Sequence, residues 1–165
     1  MALVRTDNIS RRYGKPGVGV DALSEINLEV EKGSFLALVG PSGSGKTTLL
    51  NLIGGLDLPD GGRIFVDEVD ITGFTPRELA YFRLHKVGFV FQEYNLIPVL
   101  SAVENVEYVM LLKGVERKER RERSLAMLYE MGLEGLYERR PNELSGGQKQ
   151  RVAVARAIVA GPLLV

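Results

Sequence analysis

The chain has 165 residues, 45% of them hydrophobic, 7% aromatic and 25% charged, which suffices for one globular domain with a core and argues against disorder. The 21 Lys and Arg balance the 21 Asp and Glu, so no overall field recruits nucleic acid or an anionic membrane, and any anion must be bound locally. There is no cysteine, which rules out disulfides and thiolate metal sites and fits a reducing compartment, with the cytosol as the expected location.

The opening residues Met1-Ala2-Leu3-Val4-Arg5-Thr6-Asp7 lack the basic-then-apolar order of a signal peptide. No apolar run approaches the ~18 residues of a membrane span, so a membrane connection is expected to come through another chain. Short apolar runs separated by Gly, Pro and Asp clusters predict strands at Leu28–Val30, Phe35–Val39, Ile64–Val66 and Val87–Phe91. A helix is predicted over Lys46–Ile53, with Leu49, Leu50, Leu52 and Ile53 packing beneath a Gly-rich turn. Asp67, Glu68 and Asp70, beside Gly61-Gly62 and the Ile64–Val66 run, read as a hairpin turn in preference to a metal site or carboxylate pair. Thr75-Pro76 supplies an N-cap and a first-turn proline for a helix over Arg77–Leu84. His85 precedes the Val87–Phe91 run and is assigned no chemistry, a surface position being favoured by roughly four to one.

Lys118–Met131 places Leu125, Leu128 and Met131 at three-residue spacing, and Gly132 can close that helix in the left-handed conformation. The basic run Arg117–Arg123 is interspersed with acids and in helical phase, which favours a solvated helix face over a nucleic-acid arm. Ser145–Ala160 begins on an N-cap residue and stops at Gly161-Pro162, predicting a buried helix. Without repeats or a low-complexity linker, the expectation is one α/β domain over residues 1–165.

Gly40-Pro41-Ser42-Gly43-Ser44-Gly45-Lys46-Thr47 fits G-x-x-x-x-G-K-[ST], between an apolar run and a helical stretch. In that context the glycines let successive N–H groups point at phosphate oxygens, and the helix adds the positive end of its dipole. Lys46 reaches the β- and γ-phosphates, and the Thr47 hydroxyl suits Mg²⁺, a hard cation that takes few protein ligands beside substrate phosphates. An ordinary Gly/Ser turn is the rival reading, at roughly one in twenty. About a hundred residues later, Leu144-Ser145-Gly146-Gly147-Gln148 opens another helix with the same anion-binding logic; taken alone it is more often an ordinary helix entry, and its pairing with the phosphate loop reverses those odds.

LSGGQ downstream of GPSGSGKTT (Gly40 to Thr48), with Val90-Phe91-Gln92 between them, resembles the nucleotide-binding subunits of ABC transporters over essentially the whole chain. Gly88-Phe89-Val90-Phe91-Gln92, Asn95-Leu96-Ile97-Pro98 and Glu104-Asn105-Val106 look most like the lipoprotein-release and macrolide-export branch. The resemblance implies an α/β P-loop NTPase fold with a RecA-like parallel sheet around the P-loop. It adds an antiparallel β-subdomain from the N-terminal strands and a helical subdomain carrying the signature. By the same resemblance ATP and Mg²⁺ are the cofactors, and Lys46 and Gln92 are the catalytic residues. Gln92 senses Mg²⁺ and the attacking water, Tyr13 stacks on adenine, and Thr48 closes the ATP-binding loop. Leu144, Ser145, Gly146, Gly147 and Gln148 face the γ-phosphate held by a partner subunit. That implies a homodimer or pseudo-dimer, docked on an integral membrane subunit at the inner face of the membrane, with no nucleic acid involved.

In the family, an apolar strand after the signature helix leads to an Asp-Glu pair, and a switch histidine follows. Here the sequence closes on Pro162-Leu163-Leu164-Val165. The expectation is therefore a C-terminally truncated domain with an incomplete parallel sheet, exposed Val, Leu and Phe surface, and nucleotide binding without independent hydrolysis. The alternatives in function are a non-hydrolysing nucleotide-binding fragment and a soluble ABC ATPase outside transport.

Overall fold

The computed structural model describes residues 2–14 and 18–165, which form two compact units, one ending at Tyr81 and one starting at Phe82. In the first unit, β1 (Ala2–Tyr13) pairs antiparallel with β2 (Val20–Glu31) on one side and with β3 (Gly61–Val66) on the other. The two-residue β4 (Val69–Asp70) extends the sheet to the order β2-β1-β3-β4. The antiparallel β-subdomain expected at the N-terminus is thus present, with strands far longer than Leu28–Val30 and Ile64–Val66 alone. Leu3, Val4, Ile9, Ile64 and Val66 are buried. Strict alternation fails because the β1–β2 register shifts between Thr6 and Ile9, where Asn8 takes a left-handed φ of 49°. A pair of side-chain amides clasps this bulge: the Asn8 N–H donates to Asn27 Oδ1 at 2.9 Å, and Asn27 Nδ2 donates to Asn8 Oδ1 at 2.7 Å.

Asp67 and Glu68 link β3 to β4 with φ of 51° and 67°, the geometry of a two-residue hairpin, so these two acids are turn residues as the sequence predicts, whereas Asp70 lies on β4 itself, paired with Phe65. Helix α1 (Lys46–Ile53) has the predicted bounds and buries Leu49, Leu52 and Ile53. Leu50 departs from expectation, being 57% exposed, because its position in the helical turn points away from the buried stripe. The boundary between the units falls within α2 (Pro76–Lys86). Its start is a reciprocal cap: Thr75 N–H and Oγ1 donate to Glu78 Oε2 at 2.7 Å, and the Glu78 N–H donates to Thr75 Oγ1 at 3.3 Å. Half-buried His85 lies in the basic last turn of that helix.

Phe35–Val39 pairs with no strand among the described residues, and Phe35 and Val39 are 98% and 92% exposed. A strand of a parallel sheet draws its hydrogen bonds and its burial from neighbours on both sides, and the described residues supply none here. The exposed apolar surface expected of an incomplete sheet is what this segment presents.

The second unit is helical. Helices α3 (Ala102–Leu112), α4 (Arg117–Glu130) and α5 (Gly146–Ile158) enclose a core of Val103, Val106, Met110, Leu128, Leu133, Leu144, Val152 and Ala155. The apolar spacing predicts no helix over α3. Its signal was nonetheless present as a capping box, in which the Ser101 hydroxyl accepts from the Glu104 N–H and the Glu104 carboxylate accepts from the Ser101 N–H. Gly132 has the predicted left-handed φ, 65°, just past α4.

The basic run on α4 is largely the solvated face that the sequence predicts, with Arg117, Lys118, Glu119, Glu122 and Arg123 exposed, and its half-buried members are tied to other elements. Arg120 and Arg121 pair with Glu107 of α3 at 3.7 and 3.2 Å, and Arg121 also meets Glu138. Arg123 Nη2 donates to the Val159 carbonyl at 2.8 Å and Lys113 Nζ to that of Ala160 at 3.1 Å, so cations satisfy the otherwise unpaired carbonyls at the end of α5. The Val87–Phe91 segment meets the chain's last residues through one parallel bridge, Val87 with Leu164, flanked by the Gly88 N–H donating to the Leu164 carbonyl at 2.8 Å. A Cβ on Gly88 would lie 2.3 Å from the Ala157 carbonyl oxygen, so only glycine lets this segment run so close to α5.

Candidate nucleotide-binding and signature sites

The phosphate loop runs Gly40-Pro41-Ser42-Gly43-Ser44-Gly45 into the first turn of α1, which opens with Lys46 and Thr47. Gly43 and Gly45 have φ of 81° and 86°, the left-handed conformations that curl backbone N–H groups into a concave nest. Gly45 is the N-cap of α1 and carries no capping side chain, so the helix starts with its N–H groups free for an anion. The loop is packed tightly: a Cβ on Gly45 would lie 2.5 Å from the Ala22 carbonyl oxygen of β2, and one on Gly40 would lie 2.8 Å from Ser44 Oγ. The Lys46 ammonium folds back over the loop, donating to the carbonyls of Gly40 and Pro41 at 2.9 and 2.7 Å and to Ser44 Oγ at 3.2 Å. Thr47 is exposed and Thr48 half-buried beside it. A left-handed glycine nest at an uncapped helix N-terminus, with an ammonium curled over it, fits the phosphate chain of a nucleotide.

Tyr13 stands at the end of β1, 42% exposed. Its hydroxyl donates to Asp57 Oδ2 at 2.8 Å, and the Arg11 guanidinium carbon lies 4.8 Å from its ring centroid. Arg11 also binds Asp60, whose carboxyl is held below its ordinary value chiefly by the Arg12 N–H, donated at 2.7 Å, with further help from Arg11. None of Arg11, Asp57 and Asp60 emerged from the sequence. Their pairing spans more than 40 residues, and charges at that spacing carry no local pattern.

In the second unit, Gln92 is exposed in a turn directly after Phe91, whose ring stacks on Phe89 at 5.7 Å. The chain leaving that turn is pinned to the signature helix: Arg156 of α5 donates to the carbonyls of Asn95 and Tyr94 at 2.6 and 2.7 Å. Tyr94 and Asn95 have left-handed φ of 63° and 46°, a strained pair that these bonds hold. Burial lowers the Arg156 pKa from its usual value. Asn105, fully buried, accepts from the Ile97 N–H at 2.8 Å and donates to the carbonyls of Ile97, Leu100 and Ser101. It thereby shapes the whole Ile97–Ser101 turn.

The signature divides between packing and presentation. Leu144 is buried in the helical core, while Ser145, Gly146 and Gly147 are exposed. Ser145 is the N-cap of α5, its hydroxyl accepting from the Gln148 N–H at 3.3 Å as Gln148 Oε1 accepts from the Ser145 N–H at 2.8 Å. The capping box thus engages Gln148 Oε1 within its own helix and leaves two glycines to present bare backbone at a positive helix end. Among the described residues no group of three or more His, Asp or Glu side chains could hold a metal ion, and no helix is long and apolar enough to cross a membrane.

Residues 23–165 match the ABC transporter family. The ABC transporter ATP-binding protein YknY of Bacillus subtilis is 44% identical over 163 residues, 99% of this chain and 71% of that protein. The macrolide export ATP-binding/permease protein MacB of Campylobacter fetus is 42% identical over 159 residues, 96% of this chain and 25% of that protein. The ATP-binding cassette MJ0796, solved as a dimer in a post-hydrolysis state bound to ADP and Pi, superposes with a TM-score of 0.89 at 42% identity, over 96% of this chain and 70% of that one. With the family matched over residues 23–165 and relatives such as YknY aligned over nearly the whole chain, the chain belongs to the ABC transporter family as an ATP-binding protein.

Proposed function

We propose that this chain is the ATP-binding, energy-coupling subunit of an ABC membrane transporter of the exporter or lipoprotein-extraction type, its two units together making one nucleotide-binding domain. The observation that carries the reading is the glycine nest at the uncapped start of α1, with Lys46 poised over it. In this reading Gly40 to Thr48 bind the phosphates, with Lys46 moving from loop carbonyls to the β- and γ-phosphates. The Thr47 hydroxyl and Gln92 serve Mg²⁺, an ion that keeps several waters and needs few protein ligands. Tyr13 stacks on adenine. Ser145 to Gln148 complete the site of a second copy across an ATP-bound dimer, as the dimeric MJ0796 cassette and the exposed signature glycines support. ATP hydrolysis then releases the dimer, a population shift driven by contacts to the γ-phosphate. Identity with MacB supports the exporter branch, and attachment to the inner face of the membrane follows from a membrane subunit.

The test pairs nucleotide titration with sedimentation. Lys46→Ala is expected to abolish Mg-ATP binding, and Ser145→Arg to leave binding intact while preventing ATP-dependent dimerisation. ATP affinity unchanged by Lys46→Ala would overturn the reading. Phosphate release above the Lys46→Ala background measures hydrolysis directly.

A further inference from the structure

Arg11, near the end of β1, holds two carboxylates at once. Its Nε and Nη2 donate to Oδ2 and Oδ1 of Asp57 at 3.0 and 2.9 Å, a bidentate fork, and its Nη1 donates to Asp60 Oδ1 at 2.8 Å. The Arg11 and Asp57 side chains are only 21% and 27% exposed. Asp57 Oδ2 also accepts from the Tyr13 hydroxyl, and Oδ1 accepts from the Leu58 N–H at 2.8 Å. Asp57 in turn belongs to the turn that closes α1: its own N–H and that of Leu56 donate to the Asn51 carbonyl at 3.3 and 2.8 Å. The Tyr13 ring is therefore gripped at its rim by a carboxylate and covered on one face by a guanidinium. Through Asp57 it is tied to the helix whose first turn bears Lys46.

We propose that Arg11 and Asp57 are positioning residues for the base of the bound nucleotide. They set the tilt of Tyr13 and its place relative to the phosphate loop, so that adenine stacks on the ring face turned away from Arg11. The inference rests on Tyr13 as the adenine platform, and it deepens that reading. An exposed tyrosine on a strand end would otherwise lose rotamer freedom on stacking, and a ring already clamped has lost it beforehand. The planar fork is what makes the clamp rigid, so lysine, with the same charge, cannot replace it.

The experiment compares Mg-ATP with inorganic tripolyphosphate, which carries the phosphate chain without a base, in competition titrations on the whole chain. Tyr13→Phe removes only the bond to Asp57 at a half-exposed position and retains the fold. Arg11→Lys removes the fork. Each is expected to weaken ATP about threefold to tenfold, the scale of one charge-assisted hydrogen bond, while tripolyphosphate affinity stays the same. Tyr13→Ala is expected to weaken ATP at least as much, again without touching tripolyphosphate. If Tyr13→Ala weakens ATP selectively but Tyr13→Phe and Arg11→Lys do not, the positioning role is overturned and the platform stands. Equal losses of ATP and tripolyphosphate would make the network a general brace and also overturn the proposal. ATP affinity unchanged in Tyr13→Ala removes the platform reading itself.

Discussion

Two glycines of the phosphate loop share a backbone conformation but not a neighbourhood, and alanine substitution separates the two costs. Gly43 and Gly45 have φ of 81° and 86°, where a side chain costs about 1–2 kcal/mol. A Cβ on Gly43 meets nothing within 4 Å, whereas one on Gly45 lies 2.5 Å from the Ala22 carbonyl oxygen and 2.8 Å from Leu23 Cδ2. Leu23 could turn aside, but Ala22 is backbone of a strand in the sheet and cannot. Gly43→Ala should therefore lose only the conformational term, about 1–2 kcal/mol. Gly45→Ala adds an overpacking cost of about 1–3 kcal/mol, for a total of about 2–5 kcal/mol. Urea unfolding of both variants beside the parent reads the difference in midpoint, and Mg-ATP titration reads the loop. Gly45→Ala must lose more stability than Gly43→Ala by at least the clash term. Equal losses would refute the claim that β2 abuts the loop, and a neutral Gly43→Ala would refute the left-handed nest.

Asn105→Ala should cost about 2–4 kcal/mol in thermal or urea unfolding, since it empties a fully buried site and orphans the Ile97 N–H and the carbonyls it serves. Arg156→Met keeps the apolar stem but drops two charge-assisted bonds to Tyr94 and Asn95. Limited proteolysis should cut faster between residues 92 and 98, with stability falling by about 2 kcal/mol, and an unchanged cleavage rate would count against the pin. The Asp60 carboxyl holds its proton less tightly in the folded chain than in the unfolded one, so protonation favours unfolding. Its stabilisation is full above the ordinary Asp value, about 3.9, and is lost as pH falls through the lower native value. Asp60→Asn should accordingly flatten the acid limb of a stability–pH curve below about pH 4 and lower stability at neutral pH.

The local features written in consecutive residues were legible. The phosphate loop, the cap at Thr75, the Asp67-Glu68 turn, the α1 bounds and the glycine past α4 each follow from a few adjacent side chains and their backbone preferences. The α3 helix was missed although Ser101 and Glu104 spell its start, because its apolar residues surround a buried Asn105 and blur the helical stripe. The sequence predicts no strand at β1, where the bulge at Asn8 breaks the alternation that marks a strand, and only the Leu28–Val30 part of β2. The exposure of the α4 run is legible, but its partners, Glu107 and the end of α5, are not, because they are met only through the tertiary fold.

Sequence alone determined which residues could cradle phosphate and which helix start could face a second nucleotide, because both depend on glycine torsions and capping side chains that act within a few residues. Tertiary structure alone decided what holds those residues in place. The Tyr13 ring is set by Arg11 and Asp57, the chain after Gln92 by Arg156 and Asn105, and the loop at Gly45 by the Ala22 carbonyl. These are contacts between distant residues, chosen by packing and charge pairing, and no local pattern of sequence encodes which partner is met.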